Sequence, residues 1–142
     1  MPAMVEPVDG AERALPARVI RTAVIETLHG AADDPRAGRR LAVVQATVAF
    51  VLRDAEPFAV RFGDGDVVVL DGEDHGEVRL ELDARDLHEL FDGGPHLALK
   101  IVDGQVDYAG QVRRFLRVTG ILSSLRDAYR EHLSHELGGA VR

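Results

Sequence analysis

Cysteine is missing from the chain altogether, and so is tryptophan. Without cysteine there is no disulfide, no thiolate nucleophile and no cysteine-ligated zinc. The absence suits a reducing cytoplasm, which is where we expect the protein to reside. Aromatic residues are few, at 5% of the chain. Positive charge is in short supply: 17 basic residues stand against 24 acidic ones, a net charge of -7. That balance argues against nucleic acid or an anionic membrane as the main partner. Lysine is almost absent, Lys100 being the sole example, a preference for arginine of the kind a GC-rich genome produces. No run approaches the ~18 apolar residues of a membrane span. The opening MPAMVEPVDGAER lacks a basic start followed by an apolar stretch, so no signal peptide is expected.

What is present is enough for one core. At 142 residues the chain fits a single domain. Residues 1–15 carry Pro2, Pro7 and Gly10 with no period and read as a flexible tail. Residues 16–137 form the domain, and 138–142 a short C-terminal tail. From Pro16 a helical period begins, with Ile20, Ala23, Val24, Thr27 and Leu28 on one face and Gly30 as its end. AADDPRAG reads as a connector, followed by a short helical piece from Arg39 to about Gln45.

The period then changes to two. In ATVAFVLRD, Val48, Phe50 and Leu52 share one face and Thr47, Ala49 and Val51 the other, a pattern expected of a strand covered on both sides. PFAVRFGDGD alternates Phe58, Val60 and Phe62 against Ala59 and Arg61. It turns at Gly63–Asp66 and returns as VVVL, a hairpin. EVRLELD points Val78, Leu80 and Leu82 inward. Asp83 is a good N-cap for a helix that buries Leu87, Leu90 and Phe91 and stops at DGG. Pro95 opens a short helix with Leu97 and Ile101 one turn apart. The run VDGQVDYAGQV, Val102–Val112, places an alternating strand between Gly104 and Gly110, with Val106 and Tyr108 on one side. A last helix from about Gln111 into REHLSHEL carries the stripe Val112, Phe115, Leu116, Thr119, Leu122, Leu125 and Tyr129. The order is helix, four strands, two short helices, one strand, long helix. Its hairpins point to an α+β domain with a single five-stranded, mainly antiparallel sheet covered by helices.

This order and its punctuation resemble the sterol carrier protein 2 family of lipid-binding domains. The match is best over LELDARDLHELFDGGPHLALKIVDGQVDYAGQV, Leu80–Val112. There a strand ends in an acid, an Asp-Leu helix runs to glycine, and a short helix leads to Gly104, a strand and Gly110. From about Ala46 to Asp83 the match rests on strand spacing, and residues 1–35 lie largely outside it. The family often begins its final strand Gly-Lys-Leu-Lys, where this chain has Gly104-Gln105-Val106-Asp107. The resemblance implies an apolar tunnel between sheet and helices that takes a fatty acid, an acyl-CoA or a sterol-like lipid. Carried onto this sequence, the ligand-binding set is Phe50, Phe91, Leu97, Ile101, Tyr108, Phe115, Leu116, Thr119 and Leu122. Independent support comes from the last helix, where Val118 and Ile121 widen the apolar arc beyond one core stripe, as a helix bordering a cavity allows. Plain packing, or a second subunit, would use the same residue types. Gly120 inside that helix costs about 1 kcal/mol relative to alanine.

Other constellations are weaker. DGEDHGEVRLEL has Asp71, Glu73 and His75 at calcium-loop spacing, but the twelfth position is Leu82 instead of a bidentate carboxylate, so we read an acidic turn. His132, His135 and Glu136 match no zinc motif, and neither a metal nor an organic cofactor is expected. Arg113, Arg114 and Arg117 read as a solvated helix face. Ser123 and Ser124 lack an elbow motif. His88 reads as a surface residue. If any group is a general acid or base, the candidates are His96 and Asp107. The leading reading is a non-enzymatic carrier of a hydrophobic molecule. The alternatives are an enzyme using the same tunnel for cyclisation, isomerisation or hydrolysis of a natural-product intermediate, and a homodimerisation module built on the final helix.

Overall fold

The computed structural model describes residues 15–43, 45–63, 66–72, 77–94, 97–111, 113, 116 and 122–141. The first helix, α1 (Ala17–Asp33), buries Val19, Ile20, Ala23, Val24, Thr27, Leu28 and Ala31, the stripe expected from the sequence. It does not stop at Gly30, around which there is open space, but continues a further turn. The break comes at Asp34, in extended conformation (φ -95°, ψ 110°), because the residue before a proline is driven out of the helical region. Pro35 then starts α2 (Pro35–Ala42), where its missing N–H costs nothing, and the Asp34 carboxylate accepts the Arg36 N–H at 3.0 Å. The expected connector is thus mostly helix.

Five strands follow: β1 (Ala46–Leu52), β2 (Phe58–Gly63), β3 (Asp66–Asp71), β4 (Val78–Leu82) and, after two helices, β5 (Asp107–Gly110). Their order across the sheet is β3-β2-β1-β4-β5. All neighbours are antiparallel except β1 and β4, which run parallel, so the sheet is mixed and mostly antiparallel. The expected hairpin is present, Gly63 facing Asp66 across its link. The register places Val60, Val48 and Val78 in one cross-strand row, and Phe58, Phe50, Leu80 and Tyr108 in the next. These side chains make the inner face. Phe50 and Phe58 stack at 5.0 Å between centroids, and each such buried ring contributes about 1.5–3 kcal/mol.

The helices close over this inner face. α3 (Ala84–Phe91) and α4 (Leu97–Val102) lie between β4 and β5 in the chain, and a 3-10 turn (Ser123–Leu125) leads into α5 (Arg126–Val141). One apolar cluster joins α1, α3, α4 and α5 to the inward residues of β1 through β4. Ala49 and Ala59 are fully buried yet stand outside that cluster, on the opposite face, beside half-buried Val51, Val68 and Leu70. β1 is thus buried on both faces, as its sequence pattern anticipates.

At the C-terminal end the expected single helix is interrupted. Arg113, Leu116 and Leu122 are helical, but the backbone tightens to 3-10 over Ser123–Leu125 before α5 starts, and α5 then runs past residue 137 to Val141. Val112, Arg114, Phe115, Arg117, Val118, Thr119, Gly120 and Ile121 lie outside the described residues, as do Glu73, His75, Gly76 and His96 of the sequence analysis.

Candidate functional site

α3 is positioned by its start. The Asp83 N–H is bonded by the Asp86 carboxylate at 3.3 Å, and the Ala84 N–H by Asp54 Oδ1 at 2.9 Å. Two orphan donors of the first turn are thereby satisfied, and α3 starts at the Asp83 cap expected from the sequence. The helix then presents Leu87, Leu90 and Phe91 inward. Its C-terminus turns at Gly93, in the left-handed region (φ 84°), and the Gly94 N–H donates to Glu89 O at 2.7 Å.

The segment that follows carries most of the sequence candidates. Leu97 of α4 is fully buried, Ile101 is partly buried against the core, and Leu99 and Val102 are exposed on the far side. Beyond α4 the chain reverses at Gly104 (φ 78°). Gln105 and Val106 donate their N–H groups to Lys100 O at 2.9 and 3.3 Å. That reversal tucks Val106 into the core and delays the strand to Asp107. The expected pairing of Val106 and Tyr108 on one side is thus broken in environment, Val106 being buried and Tyr108 54% exposed. Gly110 ends the strand (φ 86°), with Glu77 O only 2.0 Å from where a Cβ would stand.

Of the sequence-derived ligand set, the structure brings Phe50, Phe91, Leu97 and Leu122 into the one apolar cluster. Ile101 and Leu116 sit at its margin, partly buried. Tyr108 continues the row of Phe58, Phe50 and Leu80 onto the edge strand, where it meets solvent. Phe115 and Thr119 lie outside the described residues. Every residue of β5 is exposed. The inner face is covered at β1 and β4 and open at β5.

Asp107, a candidate acid or base, is 73% exposed at its side chain and lies 3.4 Å from the Arg53 guanidinium. With Tyr108, Arg79, Glu81 and Ala109 it lines a cleft of about 130 Å³. Arg53 is the hub of this edge. It bonds Glu81 O at 3.1 Å and Gln105 O at 3.2 Å, and pairs with Glu81, Asp83 and Asp107 at 3.4–3.6 Å. Its pKa lies above the ordinary arginine value; desolvation opposes the shift, while the hydrogen bond to Asp83 and the charges of Asp83, Asp107 and Glu81 drive it. One side chain thus pins β5 and the start of α3 to β4.

Two larger clefts flank α3. One, of about 410 Å³, is lined by Leu15, Ile20, Asp54, Ala84, Arg85, His88, Glu89 and Asp92. The other, of about 470 Å³, is lined by Arg53, Asp83, Arg85, Asp86, Glu89, Gly104 and Gln105. Neither is lined by the sequence-derived ligand set. Between them lies the residue that sequence reasoning passed over: Lys100 is 1% exposed and is held by Asp86 Oδ1 at 3.2 Å and by Glu89 Oε1. Its spacing from Leu97, three residues, was the available signal, because it puts the ammonium stem on the buried stripe of α4. His88 was also misjudged. It is half-buried, with Nδ1 2.7 Å from the hydroxyl of the fully buried Tyr129. His132 lies 3.7 Å from Glu26 of α1.

No protein-family model matches the sequence, and no curated protein matches it significantly. The fold is nevertheless shared with several solved structures. Sterol carrier protein 2 from Yarrowia lipolytica, in its apo form, superposes with a TM-score of 0.60 at 17% identity, over 72% of this chain and 89% of that one. The sterol carrier protein domain 2 of Helicoverpa armigera gives 0.57 at 13% identity, over 75% and 87%. The sec-alkylsulfatase Pisa1 from Pseudomonas sp. gives 0.51 at 20% identity, over 56% of this chain but only 13% of that larger one. A mixed five-stranded sheet with its helices on the inner face, and an edge strand set between two left-handed glycines, make this chain a domain of the sterol carrier protein 2 fold.

Proposed function

We propose that this chain binds a hydrophobic molecule (a fatty acid, an acyl-CoA or a sterol-like lipid) at the open end of the inner sheet face, with no covalent chemistry. The observation that carries the reading is the break in cover at β5. Leu80 is fully buried while its cross-strand neighbour Tyr108, in the same apolar row, is half exposed. An apolar ligand entering there would extend the core row and remove that surface from water, at about 25 cal/mol per Å² before ordering costs. Phe91, Leu97 and Leu122 would form the floor and Ile101, Tyr108 and Leu116 the margin, with Phe50 completing the wall. The shared fold with proteins named as sterol carriers supports the ligand class. Among the described residues no helix is long and apolar enough to cross a membrane.

The test is a panel of fatty acids, acyl-CoAs and sterols read by thermal shift, with native mass spectrometry of protein from its own host. Saturable stabilisation by one lipid class is expected, reduced at least several-fold in affinity by Leu97→Ala and Tyr108→Asp. A flat response across the panel with no co-purifying lipid overturns the reading.

A further inference from the structure

Helix α5 is fastened to the rest of the molecule through two imidazoles. His132 of α5 stands 3.7 Å from the Glu26 carboxylate of α1. The second contact is the more buried. Tyr129 of α5 is fully enclosed, its ring 5.7 Å from Phe91 and 5.6 Å from His88, both on α3. Its hydroxyl lies 2.7 Å from His88 Nδ1, the only hydrogen-bond partner it has among the described residues. A buried phenol must place its proton on an acceptor, so O–H donates to an unprotonated Nδ1 and the imidazole proton sits on Nε2. Nε2 faces Asp92 Oδ2, 3.9 Å away, while Arg130 of α5 holds the other oxygen of that carboxylate, Oδ1, at 2.6 Å.

We propose that the His88–Tyr129 pair is a proton-operated brace between α3 and α5, closed while the imidazole is neutral and released when it is protonated. With both ring nitrogens carrying protons, Nδ1–H can only donate to the phenol oxygen, and the hydroxyl must turn its own proton away from the ring, where no other acceptor stands among the described residues. Either the buried hydroxyl loses its acceptor or the rings separate. The charged groups around His88 come from three elements. On α3 they are Arg85, Glu89 and Asp92; on α5, Arg130; and on the β1–β2 link Asp54, which lines the same cleft. The two carboxylates of α3 favour the imidazolium and the two arginines oppose it. Burial at the cleft wall is the largest influence and keeps the pKa below the ordinary histidine value. The cleft, of about 410 Å³, gives protons and water a route to the ring. The brace does not depend on what the domain carries.

Amide exchange of the full chain, corrected for intrinsic rate, is the test. Between roughly pH 7.5 and 5, protection of the α5 amides should fall about tenfold in the wild type. The fall should be several-fold smaller in Tyr129→Phe, which keeps the ring and removes the hydroxyl. His132→Gln should respond like the wild type. Constant protection in the wild type, an unchanged response in Tyr129→Phe, or loss of the response in His132→Gln overturns the proposal. Should Tyr129→Phe fail to fold, the wild type decides by NMR: the Tyr129 ring resonances are expected to shift with the midpoint of His88, and their staying constant through that midpoint rejects the brace.

Discussion

Gly104 and Gly110, six residues apart, do different work at the residue scale. Both have φ near +80°, which an L side chain adopts at a cost of roughly 1–2 kcal/mol. Around Gly104 nothing stands within 4 Å of a Cβ position, whereas at Gly110 the Glu77 carbonyl is 2.0 Å away. Gly104→Ala should therefore lose about 1 kcal/mol, and Gly110→Ala about 3 kcal/mol or more because β5 must also move off β4. Urea unfolding midpoints of the two variants measure the difference, and equal losses would contradict it. Both positions were legible in the sequence, because glycine is the residue type that such backbone demands. Lys100 was not, since a charge reads as surface until its partners are known. Replacing it with methionine leaves the Asp86 and Glu89 carboxylates facing an apolar stem. Because those carboxylates keep some contact with water, the expected loss is about 1–3 kcal/mol, recovered in part by Glu89→Gln in the same chain.

The start of α3 was readable from a short motif, and helix contacts were not. The Asp83 cap of α3 combines an N-cap and an acid three residues later, both local in sequence. Asp83→Ala should cost about 1 kcal/mol by denaturant titration. The attachment of α5 is a matter of residues 41 apart, His88 and Tyr129, which no spacing rule connects. It contributes to the pH dependence of stability. The folded pKa of His88 lies below its unfolded value of about 6.5, so the unfolded chain binds the proton first. The contribution is fully present above that value and is lost as pH falls through the folded pKa. Tyr129 acts at the other limit. Burial first, and the Asp92 charge second, raise its pKa, so the unfolded chain ionises first and stability declines as pH rises beyond about 10. Stability measured across pH should thus fall at both ends, and Tyr129→Phe should remove the alkaline fall while reducing the acid one.

For the whole molecule, the sheet is strongest at its centre and thinnest at β5. Four exposed residues hold that edge to β4, with Arg53 as the tie to Glu81, Asp83, Gln105 and Asp107. Arg53 is itself partly solvated, so Arg53→Met should change global stability little. It should instead speed amide exchange at residues 107–110 ahead of the rest of the sheet. If the domain carries a lipid at this end, the same variant should weaken ligand binding several-fold. A saturating ligand should slow that exchange in the wild type and raise stability by about 2.7 kcal/mol at a hundredfold excess over Kd.

The amino-acid sequence by itself determined the order of elements, the inward residues of β1, β2 and β4, the cap of α3 and the two glycines around β5. Each of these is a local matter of side-chain period or of one backbone angle. Tertiary structure decided the parallel pairing of β1 with β4 and the burial of Lys100. It also decided the gathering of charge around Arg53 and the contact of His88 with Tyr129. Those depend on groups 11 to 54 residues apart meeting in space, and their energies exist only once the chain has brought them within a few ångströms.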